Sequence, residues 1–332
     1  MKRRDFISLL GGAAATWPLA ARAQQGERMR RIGVLLSLEE SDPEGKAQLS
    51  GFTQGLAELG WIQGRNLRME VRWGGGDVDR IRTFAKDLVA LQPDVIVAQG
   101  TPVTAALQRE TRTIPIVFVV VTDPVGDGFV AGLPHPGGNI TGFLTSESAI
   151  TAKMFELLTE IAPGLKRVAI LFNPDTAPGG GTYYFRDFEP AVRSNNVEPI
   201  AARARSDAEI EAIVTSLGGE PGGGLIIMPD YFMLNHIRSI TSLAARNNVP
   251  AIYPWRSVVA DDGALFSYGP DLRDIVRRGA PYVDRILRGE KPADLPVQVP
   301  VKFEMAVNAK TAKALGLTVP SSIRLRADDM IE

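Results

Sequence analysis

A small set of polar residues stands at the ends of apolar runs, where side chains can meet a ligand. Ser37 follows Ile32 to Leu36, and Thr101 follows Val95 to Gly100. Thr122 and Asp123 follow Ile116 to Val121, Asn173 follows Val168 to Phe172, and Asp230 follows Leu225 to Pro229. Their chemistry is that of binding rather than bond breaking. Thr101-Pro102 reads as the start of a helix, with Thr as cap and Pro at the first helical position. Free backbone N–H groups at such an end favour an anion such as a carboxylate, although a plain helix cap explains the same residues. Asp123 could hold an ammonium or hydroxyl of a ligand, or fasten the Val125-Gly126 turn through its own backbone. Asp230 offers an acceptor to a ligand or caps the next helix. Ser37 and Asn173 are matched in the same way. A donor on one side and an acceptor on the other suit a zwitterion. Tyr183, Tyr184, Trp255 and Tyr268 could stack on a ring or aliphatic body, or serve as packing.

Catalytic constellations are missing from the sequence. His135 and His236 are the two histidines, and neither neighbours a nucleophile. No H-E-x-x-H, P-loop or G-x-G-x-x-G pattern occurs, and Gly74-Gly75-Gly76 reads as a turn. Glu39, Glu40 and Asp42 form an acidic loop that reads as solvated. No residues that would hold a metal or a cofactor stand out. The absence of cysteine excludes disulfides and thiolate metal sites.

The elements that position these residues are duplicated. Arg31-Ile32-Gly33-Val34-Leu35-Leu36-Ser37 and Arg167-Val168-Ala169-Ile170-Leu171-Phe172-Asn173 share one pattern, at an offset of 136 residues (167 minus 31). Thr113 to Phe118 matches Asn248 to Tyr253 at an offset of 135 (250 minus 115), and Val95 to Thr101 matches Gly224 to Asp230. Each apolar run is that of a parallel strand buried on both faces. The expected fold class is α/β: two similar Rossmann-like lobes, with parallel sheets flanked by helices, facing each other across a cleft. Ligands of open α/β sheets bind beyond the carboxyl ends of the strands. The lobes are expected at residues 28–143 plus about 270–291, and 146–268 plus about 296–332. A three-crossing hinge would join them, with Asn139, Thr141 and Gly142 at the first crossing. Strands are expected at 66–73 and 297–303, and helices at 45–59, 79–91, 150–161, 184–195, 208–216, 235–247, 271–287 and 309–315.

The first 23 residues read as a twin-arginine export signal. Lys2-Arg3-Arg4-Asp5-Phe6-Ile7 leads a weakly apolar run, and Ala21-Arg22-Ala23 has the form of a cleavage site. Cleavage near Ala23 and a periplasmic location are expected. Removing four basic residues and one acidic residue would take the net charge from −1 to −4. A mildly acidic chain is a poor match to nucleic acid or an anionic membrane.

Val117-Phe118-Val119-Val120-Val121-Thr122-Asp123-Pro124-Val125-Gly126 and Pro136-Gly137-Gly138-Asn139-Ile140-Thr141-Gly142 resemble one family. So do Asn173-Pro174, Pro229-Asp230, Ile286-Leu287-Arg288-Gly289-Glu290-Lys291-Pro292, Asn308 to Gly316 and Arg326 to Glu332. It is the ABC-transporter substrate-binding family that includes tryptophan/tyrosine-type binding proteins. The resemblance implies a type I periplasmic-binding-protein fold and no enzymatic turnover. It also implies a monomeric receptor that delivers a small molecule to an inner-membrane permease driven by a separate ATPase. The ligand class would be an amino acid, an aromatic carboxylate or a related small polar acid. A sensory receptor using the same cleft, and a cleft enzyme, are the alternative readings. The first loop, Ser37 to Asp42, lacks the His-Pro expected of aromatic amino-acid binders.

Overall fold

The structure is a computed structural model that describes residues 29–332. The expected signal segment and its cleavage point near Ala23 lie outside the described residues. Among the described residues, no helix is long and apolar enough to cross a membrane.

The first half of the chain alternates strand and helix: β1 (Arg30–Leu36), α1 (Pro43–Glu58), β2 (Leu67–Trp73), α2 (Val78–Ala90), β3 (Val95–Gln99), α3 (Thr101–Glu110), β4 (Ile116–Val121) and β5 (Ile140–Leu144). Their sheet has the order β2-β1-β3-β4-β5, and every pair is parallel. The pattern then repeats with α4 (Ile150–Ile161), β6 (Arg167–Phe172), α5 (Thr182–Ser194), β7 (Glu198–Arg203), α6 (Asp207–Gly218), β8 (Gly223–Ile227), α7 (Tyr231–Asn235), α8 (Ile237–Arg246), β9 (Ala251–Tyr253), α9 (Arg256–Asp261) and β10 (Phe266–Pro270). Strands β7-β6-β8-β9-β10 reproduce the order of the first sheet. The duplication seen in three short segments is therefore a duplication of topology. All five residues of β3 and of β8 are buried, as expected for parallel strands covered by helices on both faces.

After each fifth strand the chain changes lobes. Helix α4 follows β5, yet its Met154, Phe155, Leu158 and Ile161 pack with Phe172, Tyr184 and Phe188 of the second lobe. Helix α10 (Leu272–Leu287) follows β10, yet its Val276, Ala280 and Val283 pack with Phe52 and Leu56 of the first lobe. Gly55 makes this close packing possible, since a Cβ there would stand 3.0 Å from that of Ala280. The two exchanges carry the chain across at residues 145–149 and at Asp271. The third crossing, residues 295–302, leads to β11 (Phe303–Asn308), α11 (Ala309–Ala314), α12 (Ser321–Arg326) and β12 (Asp329–Ile331). Strand β11 lies antiparallel to β10, so the second sheet has seven strands and one antiparallel pair.

The expected strand at 297–303 is corrected. It starts at Phe303, and the segment before it makes a single bridge, Gln298 to Phe143. Pro296 and Pro300 flank that bridge and lack the N–H groups a longer ladder needs. Gln298 N–H donates to Gly142 O at 2.9 Å, and Leu144 N–H donates to Gln298 O at 2.8 Å. The expected helix 235–247 is two helices, α7 and α8, meeting at His236. Phe129 to Leu133 forms neither helix nor strand, though Phe129 and Val130 are buried in the first lobe's core.

Candidate functional site

In both sheets the strand order reverses between the first strand and the third, which is where open α/β sheets form ligand crevices. Ser37 and Gln99 stand at the carboxyl ends of β1 and β3. Both are buried. The Gln99 Oε1 accepts from the Ser37 N–H (3.1 Å) and the Ser37 hydroxyl (3.0 Å). Gln99 donates in turn to Gln48 Oε1 on α1 (2.6 Å), and Gln48 donates to Glu44 (3.2 Å). Arg273, at the start of α10, donates to Glu44 at 2.7 Å. A polar chain thus runs from the strand ends to the helix that enters at the second crossing. Gln99 and Gln48 were not among the expected site residues. The available signal was a glutamine ending an otherwise apolar five-residue strand.

Thr101 is not the helix cap that the sequence suggests. Gly100 caps α3 with φ 91°, and Thr101 begins the helix. The second lobe does cap as expected. Asp230 lies before α7, and its carboxylate accepts from Met233 N–H (2.8 Å) and from Asn173 N–H (3.0 Å). Asn173 is also buried and accepts from Asp175 N–H at 2.8 Å. Burial pushes the Asp230 carboxyl up to about 6, against the hydrogen bonds from Asn173 and Met233 that favour its charge.

The end of strand β4 is strained. Val120, a β-branched residue, has φ 60°, at a register shift between Val119 and Val121. Such strain collects at ligand sites. Thr122 is buried beyond it. Asp123 does hold its turn, accepting from Gly126 N–H at 2.9 Å. Asp127 stands one turn on. Its Oδ2 is shielded from solvent and has no hydrogen-bond partner among the described residues. Burial, and then the neighbouring Asp123, raise its carboxyl to about 6.

Helix α5 brings two tyrosines to the same region. The Tyr183 hydroxyl donates to Ser146 O at 3.0 Å. Burial, and then the charge of Asp123, push it up to about 12. Tyr184 is 1% exposed, and its hydroxyl has no partner among the described residues. Burial raises it well above the usual phenol range, with Asp230 and Asp127 adding to the effect. Trp255, and Thr145 and Ser146, whose hydroxyls have no partner among the described residues, line a cavity of about 10 Å³ with Met228 and Pro270, room for about one water. Tyr268 is placed differently. It stacks on Phe303 at 5.6 Å, beside the third crossing.

Among the residues expected at the hinge, Thr141 and Gly142 meet the third crossing. The Thr141 hydroxyl donates to Leu295 O at 2.6 Å. Asn139 lies at the opposite, amino end of β5 and donates to Ile114 O at 2.7 Å. A larger groove, of about 540 Å³, lies between α5 and the edge strand β7, lined by Phe172, Phe185 and Arg203. All its lining residues belong to the second lobe, so it is not the interlobe cleft.

The family model for ABC transporter substrate binding proteins matches residues 31–331. A tyrosine-binding protein of Clostridioides difficile is 26% identical over 291 residues, covering 88% of this chain and 82% of that protein. A conserved domain protein of Vibrio cholerae superposes with a TM-score of 0.81 at 28% identity, over 91% of this chain and 100% of the other. A Streptococcus pneumoniae ABC domain in complex with L-Trp gives 0.81 at 25% identity, over 91% and 99%. A ligand-free, open substrate-binding protein from Clostridium difficile gives 0.72 at the same identity and coverage. The fold is that of type I periplasmic binding proteins, shared at 15% identity with solute-binding proteins such as one from Agrobacterium vitis. The family binds solutes and is not a family of enzymes. The chain belongs to the ABC transporter substrate-binding proteins.

Proposed function

We propose that this protein is the periplasmic receptor of an ABC importer for an amino acid or a closely related small molecule. It would be exported through its twin-arginine segment, act as a monomer, and hand its ligand to a permease served by a separate ATPase. The ligand would sit between the lobes, against Ser37, Thr101, Thr122, Asp123, Asn173, Asp230, Tyr184 and Trp255. Tyr268 would contribute from the hinge side. One observation carries the reading: a chain matched over 31–331 to this family presents polar groups from both lobes at both topological switch points.

Closure would occur about the three crossings, with lobes at 28–143 plus about 270–291 and 146–268 plus about 296–332. Thr141, Gly142 and Asn139 would fix the strand on which the hinge turns. The better superposition on the L-Trp complex than on the open, ligand-free relative supports a closed arrangement here. The tyrosine-binding and L-Trp-bound relatives favour an amino acid.

Titration calorimetry with L-tryptophan and L-tyrosine tests this reading. One site per chain is expected. Asp230→Ala and Thr101→Val should each weaken binding by at least about tenfold, or 1.4 kcal/mol. Unchanged affinity in both folded variants would remove the site.

A further inference from the structure

We propose that the groove between α5 and the edge strand β7 is a second ligand site, separate from the interlobe cleft, that takes a small carboxylate carried on an apolar body. The inference does not depend on the reading of the cleft.

The groove is of ligand size, about 540 Å³. Its floor is made of rings. Phe172 ends β6 and Phe185 stands in the first turn of α5, and the two rings meet edge to face at 6.2 Å and 67°. Gly181, with φ 95°, carries the chain over Phe172, where a Cβ would overlap the ring. The walls are cationic. Arg186 and Arg193 come from α5 and Arg203 from β7, against one carboxylate, Glu189. Glu189 is held by Arg193 at 2.8 Å. The other two guanidiniums lie over aromatic faces, Arg186 over Tyr183 at 5.5 Å and Arg203 over Phe172 at 5.9 Å. Neither has a carboxylate at ion-pair distance among the described residues, whereas Arg205, just past β7, is paired with Asp175 at 2.9 Å.

Rings below and free guanidiniums at the rim suit a molecule that is apolar along its body and anionic at one end. A guanidinium can donate to both oxygens of a carboxylate. One already held over a ring has less freedom to lose when it does so. The excess of arginine over glutamate would repel a cation. A neutral polar end would gain no charge-assisted bond. An extended peptide added to the edge of β7 is the competing occupant, and the strand argues against it. Glu198 N–H donates to Lys166 O at 2.9 Å and Ala204 N–H donates to Phe172 O at 3.0 Å, so the even-numbered residues face β6. The free edge is therefore presented by Pro199, Ala201 and Arg203, and Pro199 has no N–H. A partner strand would meet a broken row of donors, while a small carboxylate needs none of them.

The test is a magnetic-resonance titration of the protein carrying isotope-labelled phenylalanine, which reports where a probe binds as well as how tightly. The probes are hydrocinnamate and octanoate, each set against the alcohol of the same skeleton. The amide signals of Phe172 and Phe185 should move saturably with at least one of the two carboxylates. The matching alcohol should bind at least about tenfold more weakly. Arg203→Gln should weaken the carboxylate by about threefold, as befits an exposed partner. Arg186→Gln combined with Arg203→Gln should weaken it by at least about tenfold and leave the alcohol unchanged. Equal affinity for acid and alcohol would overturn the inference, and needs no variant to be seen. Unchanged carboxylate binding in the folded double variant would overturn it too. Saturable movement of other phenylalanine signals, with Phe172 and Phe185 unmoved, would place the carboxylate elsewhere and overturn it. No saturable movement with any probe would overturn it as well, and would leave the receptor reading of the cleft standing.

Discussion

The two lobes solve one backbone problem with different chemistry. In the first lobe, the N–H that follows β1 donates to Gln99 Oε1 at 3.1 Å. In the second, the equivalent N–H that follows β6 donates to Asp230 Oδ2 at 3.0 Å. The tie between first and third strands is the same, but one acceptor is a neutral amide and the other a buried carboxylate. The amide extends through Gln48 and Glu44 to α10, and so to the second crossing. The carboxylate caps α7 and stands near Tyr184. Duplication has preserved the geometry of the crevice, and charge has differentiated its walls. The first lobe's chain ends instead in the charged Glu44–Arg273 pair at the start of α10.

The largest effects should come where the lobes remain alike. Gly142 in β5 and Gly269 in β10 both press against the preceding strand or its exit. A Cβ would stand 2.0 Å from Phe118 O at the first and 1.9 Å from Pro254 O at the second. Gly142→Ala and Gly269→Ala should each destabilise the fold by about 3 kcal/mol, read as a loss in denaturant midpoint at constant slope. If only one of them matters, the lobes are not equivalent at the fifth strand.

Asp230→Ala leaves two buried N–H groups without acceptors and removes a cap, at a cost of about 2–4 kcal/mol. Asp230→Asn keeps an acceptor oxygen and removes an unpaired charge, so thermal unfolding at neutral pH should show a much smaller loss. Equal losses would mean that the charge, not the tie, is what the second lobe needs. On the other side, Gln99→Leu removes the oxygen that accepts from the Ser37 N–H and hydroxyl and should cost about 1–3 kcal/mol. It should also loosen the coupling of the crevice to α10, visible as faster amide exchange at the start of that helix.

A pH comparison sharpens the electrostatic contrast. Asp127 and Asp230 both have carboxyls raised from 3.8 to about 6. A folded value above the unfolded one gives stability that is present below about pH 4 and lost as the pH rises through 6. Other carboxylates in the protein shift the opposite way, so the informative quantity is a difference. The melting temperature of Asp127→Asn minus that of the parent should grow from near zero at pH 4 to its largest value near pH 7. Asp123 lies on Asp127's own turn, and Tyr184 and Asp230 lie across from it. Titration of these neighbours will broaden the profile without reversing it. The smallest effect should come from the exposed Arg277–Glu58 pair between α1 and α10, where Glu58→Gln should change stability by about 0–1 kcal/mol.

Much of this was legible in the amino-acid pattern, and for identifiable reasons. Strands buried on both faces are near-continuous apolar runs, so β1, β3, β4, β6 and β8 stood out, and their polar exits marked the crevice. The exchange of α4 and α10 between lobes was less visible. An amphipathic helix states that it has an apolar face, not which sheet that face meets. Gln99 and Gln48 escaped notice because glutamine usually lies on the surface, and only tertiary packing buries this pair. Asp127 was passed over inside what reads as a turn, since the loss of a partner for one carboxylate oxygen is a property of the assembled cleft. Thr101 was read one position too early because Gly100, at φ 91°, takes the cap position instead.

The central claim is that the cleft captures an amino acid or a closely related small molecule. The most direct measurement is a thermal-shift titration of the refolded protein lacking residues 1–23 against amino acids, amines, aromatic acids, nucleosides and sugars. A ligand at a hundred times its dissociation constant adds about 2.7 kcal/mol of stability, a clear rise in melting temperature. The account predicts such a rise with at least one amino acid or related compound, lost in Asp230→Ala. A rise confined to nucleosides or sugars, or none with any compound, would contradict it.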